Sequence, residues 1–271
     1  MNKRSLIVQC SDKCPCDCPG CYNFSNNKKC SIPFEKLLNF IKSYNDIFEN
    51  NRVTLSGGDP LFNSDIIKII SELKKDGVSI NLDTVGTKLL EDRKELIEVL
   101  KMVDYVGIPL DGITTRTIQA FRTNMTIEKF VRILNVVKDF KNICINTVVH
   151  ALNIEEIKGI ASLINEDKQI TKWQLFQYMP IGPGGYKNKV RYEITEEQYN
   201  KVKSEVLSLD LRHSLQLDFK SAECRIDRYL ILSSDGTVWI PGMNNERTIV
   251  GDIEDDNIFN FIERSSQYEK V

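Results

Sequence analysis

The spacing C-x3-C-x2-C, made by Cys14, Cys18 and Cys21 in the run CPCDCPGCYN, is the strongest constraint in this chain. Three thiolates on one short loop suit a cubane four-iron four-sulfur cluster. Held by four thiolates, such a cluster is coordinatively closed and serves electron transfer, whereas three leave one iron open to a small molecule. The fourth ligand is then a substrate or a cosubstrate. Six of the eight cysteines fall in the first thirty residues, but only Cys14 has cysteines both four and seven positions on, so the triad is unambiguous. Cys10, Cys16 and Cys30 are left as bystanders.

Other uses of these cysteines fit less well. A zinc knuckle usually shows paired CxxC elements or histidines, and here only His150 and His213 exist and no second CxxC follows. A disulfide framework goes with secretion, but the first residues carry charge without an apolar signal segment. No stretch is long enough to span a bilayer, so the expectation is a cytoplasmic protein without membrane contact. The 36 basic and 38 acidic residues nearly balance, which leaves no field of the kind a nonspecific nucleic-acid binder needs. At 271 residues and 41% hydrophobic composition, one large domain of α/β-barrel size can bury a full core.

Hydrophobic periodicity alternates strands and helices. Ser5 to Gln9 reads as a strand leading into the cysteine loop, and Phe34 to Ile47 as a helix with Leu37, Leu38, Phe40 and Ile41 on one face. Further strands are expected over 52–55, 78–83, 104–110, 143–149 and 172–178, with helices over 64–75, 90–102, 115–121, 127–140 and 154–164 between them. Six such units imply a parallel sheet with right-handed crossovers and ligands at the carboxyl ends of the strands. The expected fold is α/β: a partial (β/α)6 barrel over 1–182 with a small C-terminal α+β extension over 183–271. In the extension, PIGPGGYKNKVRY reads as a glycine-rich basic loop. Thr195 caps a helix reaching about Leu207, and strands over 229–232 and 237–240 flank the hairpin signal Asp235-Gly236.

A second motif follows the second strand, where VTLSGGDP ends in Gly57, Gly58, Asp59 and Pro60. With CPCDCPGCYN and VTLSGGDP together, the chain resembles the radical S-adenosylmethionine (SAM) superfamily, in which a CxxxCxxC loop and a GGEP-type segment bind the cluster and the SAM amino group. LDTVGT at 82–87, IPLDG at 108–112 and FQYMPIG at 176–182 are similar, in order, to further elements of that family. The resemblance implies that SAM chelates the open iron and that one electron, from a donor such as flavodoxin or ferredoxin, cleaves it to methionine and a 5′-deoxyadenosyl radical. It also implies that Gly57, Gly58, Asp59 and Pro60 hold the SAM amine, with Asp59 accepting its hydrogen bond. Thr84 would lie near the carboxylate or ribose, Asn146 near the ribose, and the Met179 backbone against the adenine. Two departures stand out: Pro109 replaces a frequent serine, and Gly20 replaces the aromatic that commonly precedes the third cysteine.

Substrate is less determined. One reading is hydrogen abstraction from a peptide or small metabolite, with Cys224 as a hydrogen donor that quenches the substrate radical. The chain begins almost at its first strand, so a peptide is expected to be recognised by the barrel mouth or a separate partner. The tail resembles twitch and SPASM ends, but Cys224 is its only cysteine, which argues against an auxiliary cluster. Alternatives are a viperin-like nucleotide-modifying enzyme, with Lys187, Lys189 and Arg191 beside Gly184 and Gly185 holding phosphates, and an activase of a glycyl-radical enzyme, suggested by the wording CPGCYN.

Overall fold

The computed structural model describes residues 4–24, 32–91 and 94–265; Cys30 lies outside them. Among the described residues ten strands form one sheet: β1 Ser5–Gln9, β2 Arg52–Ser56, β3 Ser79–Asp83, β4 Tyr105–Pro109, β5 Ile143–Val149, β6 Ile170–Gln177, β7 Gln216–Lys220, β8 Tyr229–Leu232, β9 Thr237–Pro241 and β10 Arg247–Asp252. Their spatial order is β10-β9-β8-β1-β2-β3-β4-β5-β6-β7. Pairing is parallel from β8 through β7, and antiparallel from β8 to β9 and from β9 to β10. The sheet is not closed, because β7 and β10 remain at its two edges.

Helices α1 Phe34–Phe48, α2 Ile66–Lys75, α3 Lys94–Leu100, α4 Thr115–Phe121, α5 Ile127–Val136 and α6 Ile157–Glu166 connect the first six strands, as crossover geometry requires. Their apolar stripes meet one face of the sheet: Leu6, Val8, Val53, Leu55, Ile80, Leu82, Val106, Ile108, Trp173 and Leu175 are all buried in one core with the helices. Successive strand side chains point to opposite faces. The alternate positions therefore fall on the inner face, and many are polar, among them Thr54, Ser56, Asn81, Asp83, Asn146, Lys172 and Gln174, beside the apolar Ile7, Val148 and Phe176. A closed barrel fills its interior with branched apolar side chains. This one keeps a polar interior, which suits a bound ligand better than a packed core.

The tail departs from expectation in its extent. Besides the hairpin β8–β9, residues 216–220 and 247–252 form strands, and α10 Ile258–Ser265 follows. The basic loop expected at 180–192 forms two short helices, α7 Gly182–Lys187 and α8 Lys189–Tyr192. The helix α9 Glu196–Leu207 has the anticipated start: Thr195 and Gln198 make a reciprocal capping box. Tail strands join the sheet on both sides, β7 beside β6 and β8 beside β1. Among the described residues, no helix is long and apolar enough to cross a membrane.

Candidate active site

The cysteine loop leaves β1 at the carboxyl end of the strands and is pinned from three directions. The first support is GGDP. Cys10 N–H donates to the Ser56 carbonyl at 3.0 Å, Gly58 N–H to Ser11 at 2.7 Å and Asp59 N–H to Lys13 at 2.7 Å. This contact leaves no room for side chains. A Cβ on Gly58 would stand 2.5 Å from the Lys13 carbonyl oxygen, and Gly57 (φ +136°) has its open side against the Ser11 carbonyl. The glycines thus serve the close approach of two backbones.

The second support is the segment after α4. Thr123 Oγ1 accepts from Asp17 N–H at 2.7 Å, and Asn124 Nδ2 donates to the Pro15 carbonyl at 2.9 Å. Gly20 faces the Phe121 ring so closely that any Cβ would enter it. Phe121 in turn stacks on His150 at 4.6 Å and meets Tyr192 edge-on at 5.1 Å. Burial holds the His150 imidazole down to about 4, so it serves as a neutral packing ring. The glycine at position 20 thus has a steric cause.

The third support is α7. Gly185 N–H donates to Cys21 O at 3.1 Å and Asn188 Nδ2 to Pro19 O at 2.9 Å, while Gly182 (φ +79°) lies over the Tyr22 backbone. This corrects the reading of the segment as a phosphate cradle. Such a nest needs free backbone N–H groups, and that of Gly185 is spent on the cysteine loop. Two of the three basic side chains are also engaged: Lys189 donates to Asn244 at 2.8 Å and pairs with Glu193, and Arg191 lies 5.4 Å over the Tyr192 ring.

Within this frame the thiols differ. Cys16 lies within hydrogen-bond reach of both Cys14 and Cys18, lowering the pKa of Cys14 and bringing Cys18 down to about 7, to which Arg122 also contributes. Arg122 is itself fixed by Asp111 at 2.8 Å. Cys21 is exposed by area but ringed by protein, and that enclosure pushes its thiol up to about 11; coordination deprotonates such a thiol outright. Cys10, fully enclosed, bonds Ser56 O at 3.4 Å and is pushed up to about 12, which marks it as packing. Among the described residues, no His, Cys, Asp or Glu side chains converge on a point as one metal ion requires. A cubane instead gives each thiolate its own iron, so three soft donors on one braced loop fit the cluster.

The other expected SAM contacts are arranged differently among themselves. Asp59 is buried, and its carboxylate accepts from Leu61 N–H at 2.9 Å, Val85 N–H at 3.1 Å and the Thr84 hydroxyl at 2.8 Å. The Thr84 hydroxyl lies 2.9 Å from the second oxygen as well, so its single proton is shared between two of the carboxylate's roughly four acceptor positions, and an amine would take the one it leaves. Thr84 is turned to Asp59 and also accepts from Gly86 N–H at 3.0 Å. Pro60 begins the turn that Asp59 caps. Asn146 stands on the inner face, donating to Asp83 at 2.8 Å and accepting from Gln174 at 3.1 Å. The Met179 carbonyl accepts from Ile181 N–H at 2.8 Å, beside the Trp239 and Ile231 side chains. Cys224 is exposed on the turn 223–225 after β7, its Sγ 3.3 Å from Ser221 O.

Motif reading named Asn146 but missed its two partners. Asp83, Asn146 and Gln174 form a hydrogen-bonded row across the inner face, and burial pushes Asp83 up to about 6. Gly107 lies between them because a side chain there would collide with both Asp83 and Asn146. Tyr22 reaches Ser56 at 3.4 Å, beside a Gln9 amide that is buried without a hydrogen bond of its own. The polar residues of KWQLFQ, at alternate strand positions, were the available signal.

Comparison with known proteins gives a consistent picture. The Radical SAM superfamily model matches residues 8–164. Over 187 residues the chain is 24% identical to a protein named probable GTP 3′,8-cyclase from Methanocaldococcus jannaschii, covering 66% of this chain and 60% of that one. Over 156 residues it is 26% identical to an S-adenosylmethionine-dependent nucleotide dehydratase from Lacinutrix mariniflava, covering 55% and 32%. The match thus spans about three-fifths of the cyclase. Among solved structures, anSMEcpe with bound AdoMet superposes with a TM-score of 0.72 at 17% identity, over 98% of this chain and 82% of that one. Streptococcus suis SuiB bound to precursor peptide SuiA gives 0.70 at 12%, over 95% and 64%. At such identities these structures share the fold.

Proposed function

We propose, since the chain belongs to the radical SAM superfamily, that it takes hydrogen from a small molecule seated against the polar inner face of its sheet, using SAM cleaved at Cys14, Cys18 and Cys21. The observation that carries this reading is the placement of a braced three-thiolate loop at the strand ends above Asp83, Asn146 and Gln174. When bound, a reduced four-iron four-sulfur cluster and SAM supply the 5′-deoxyadenosyl radical. The chain's own residues hold and orient. Gly57, Gly58 and Asp59 fix the loop and offer an acceptor to the SAM amine, Arg122 adds positive charge beside Cys18, and Asn146 and Thr84 flank the ribose. Pro60 fixes the turn beneath them, and the Met179 backbone lies against the adenine. An electron donor of the flavodoxin or ferredoxin class completes the system.

The relatives' names support a nucleotide as the small molecule, and so does a lumen lined by amides and charges. A peptide is the second reading, favoured by the exposed Cys224 on the turn beyond β7 and by the peptide-bound form of SuiB. The test is anaerobic incubation of cluster-loaded chain with dithionite and SAM. The reading requires 5′-deoxyadenosine, formed slowly alone and faster with substrate; its absence at full cluster occupancy would end it.

A further inference from the structure

The inner face carries a concentration of positive charge that the hydrogen-abstraction chemistry does not explain. Along β6 the inward positions are Lys172, Gln174 and Phe176, and along β7 they are Asp218 and Lys220. Register sets Gln174 opposite Asp218 and Phe176 opposite Lys220. Both ammonium groups reach the same oxygen, Asp218 Oδ2, each at 3.3 Å. The Lys172 and Lys220 side chains are only 15% and 25% exposed. Arg225, on the turn beyond β7, donates to the Ser221 and Gln177 carbonyls, and its guanidinium stands 5.6 Å from the Phe176 ring centre, with Lys220 Nζ at 5.9 Å.

Two ammonium groups thus share one carboxylate oxygen in a half-buried place, with a third cation, Arg225, nearby on backbone carbonyls. The other acid on this face, Asp83, is bonded to Asn146 and pushed up to about 6 by burial, so near neutral pH it adds a second negative charge. Desolvated charge of one sign is costly without a counter-charge. Each ammonium keeps donors beyond its bond to Asp218, and compact ammonium groups suit phosphate oxygens approached from several directions. The amides of Gln174 and Asn146 lie next to this charge along the same face, so an anion held there would carry the rest of its molecule toward the strand ends under the cysteine loop.

We propose that Lys172 and Lys220, backed by Arg225, form the anion-binding end of the substrate site, and that the substrate is a phosphate-bearing small molecule of the nucleotide class. This rests on the reading that the substrate lies on the inner face, and it names the substrate's chemistry. The basic run at 187–191 is not involved.

The test is calorimetric titration of the anaerobic, cluster-loaded full chain with three probes: GTP, inorganic tripolyphosphate and guanosine. GTP and tripolyphosphate are expected to bind and to compete, with guanosine at least about tenfold weaker. Lys172→Met and Lys220→Met should each weaken GTP about tenfold or more, Lys220→Arg only a few-fold, and Lys201→Met, on the outside of α9, not at all. Cluster content and melting temperature are recorded for each variant, and Lys220→Gln replaces any methionine variant that fails to fold. Failure of both phosphate probes to bind the wild-type chain would overturn the proposal, as would wild-type affinity in the lysine variants. GTP binding without 5′-deoxyadenosine formation would break the cleavage reading and leave the anion site standing; cleavage without anion binding would do the reverse.

Discussion

The Thr84 hydroxyl donates to Asp59 at 2.8 Å, tying the loop after β3 to the loop after β2 directly behind the cysteine loop. Asp59 thereby carries a structural duty besides any contact with SAM, and the two can be separated. Asp59→Ala strands the Leu61 and Val85 N–H groups and the Thr84 hydroxyl, and is expected to cost about 3 kcal/mol in denaturant titration. Asp59→Asn keeps an acceptor and most of that stability, but removes the charge. Its SAM affinity should fall by roughly 1.5–3 kcal/mol, the worth of a charge-assisted hydrogen bond. Wild-type SAM affinity in Asp59→Asn would place the amine elsewhere.

Cluster content follows the triad. Cys14→Ala, Cys18→Ala and Cys21→Ala should each lose the cluster on anaerobic reconstitution, read by iron and sulfide analysis, whereas Cys10→Ala should keep it. A normal cluster in Cys18→Ala would refute the assignment.

The glycine cradle is open to a direct steric test. In Gly58→Ala the new methyl meets backbone at 2.5 Å, and no side-chain rotation can relieve it. Overpacking of this kind costs about 1–3 kcal/mol. Both melting temperature and iron content should drop, and an alanine variant that loads normally would show that the loop approaches GGDP less closely.

Asp83 gives the chain a pH signature. The unfolded chain carries an ordinary aspartate near 3.8 and the folded chain one near 6, because burial disfavours its charge. Between those values the native state binds more protons, so this group's contribution falls as pH rises through that window and is flat above it. The full penalty is on the order of 3 kcal/mol. Asp83→Asn should therefore gain on the wild type from about pH 4 to 6 and no further. A melting-temperature difference independent of pH would disprove the shifted aspartate.

Cys224 is the proposed hydrogen donor. Cys224→Ala is expected to form 5′-deoxyadenosine with substrate but to lose the hydrogen-returned product, while the wild-type product gains one deuterium in deuterated water. Full product from Cys224→Ala would leave the residue as an exposed turn position.

What the sequence revealed was local. The cysteine spacing, GGDP and the Thr195 cap each lie within a few consecutive residues; Thr195 starts the helix expected of it, joined by a Gln198 outside that expectation, and the cysteine loop is braced against GGDP. The row Asp83, Asn146 and Gln174 was not legible, since its members come from three strands and only register brings them together. QLDFK, whose charged inward positions gave no core signal, became β7 because β6 offered an edge. GPGGYK has poor intrinsic helix propensity, and its helix is held by contacts with Cys21 and Pro19 that no local pattern contains.

Strand β1 is the fifth residue onward, but its second neighbour, β8, begins at Tyr229. Arg4 reaches just as far, donating to the Asp227 carbonyl at 3.0 Å and to Ser265. During synthesis, therefore, the strand that launches the cysteine loop waits with one edge bare until some two hundred further residues have been made. Pairings of such sequence separation are slow to form, and a bare parallel edge invites association with other chains. The expected behaviour in the cell is a protein whose first six strands are assembled early, whose last stitch returns to β1, and whose cluster is safest delivered after that stitch is tied.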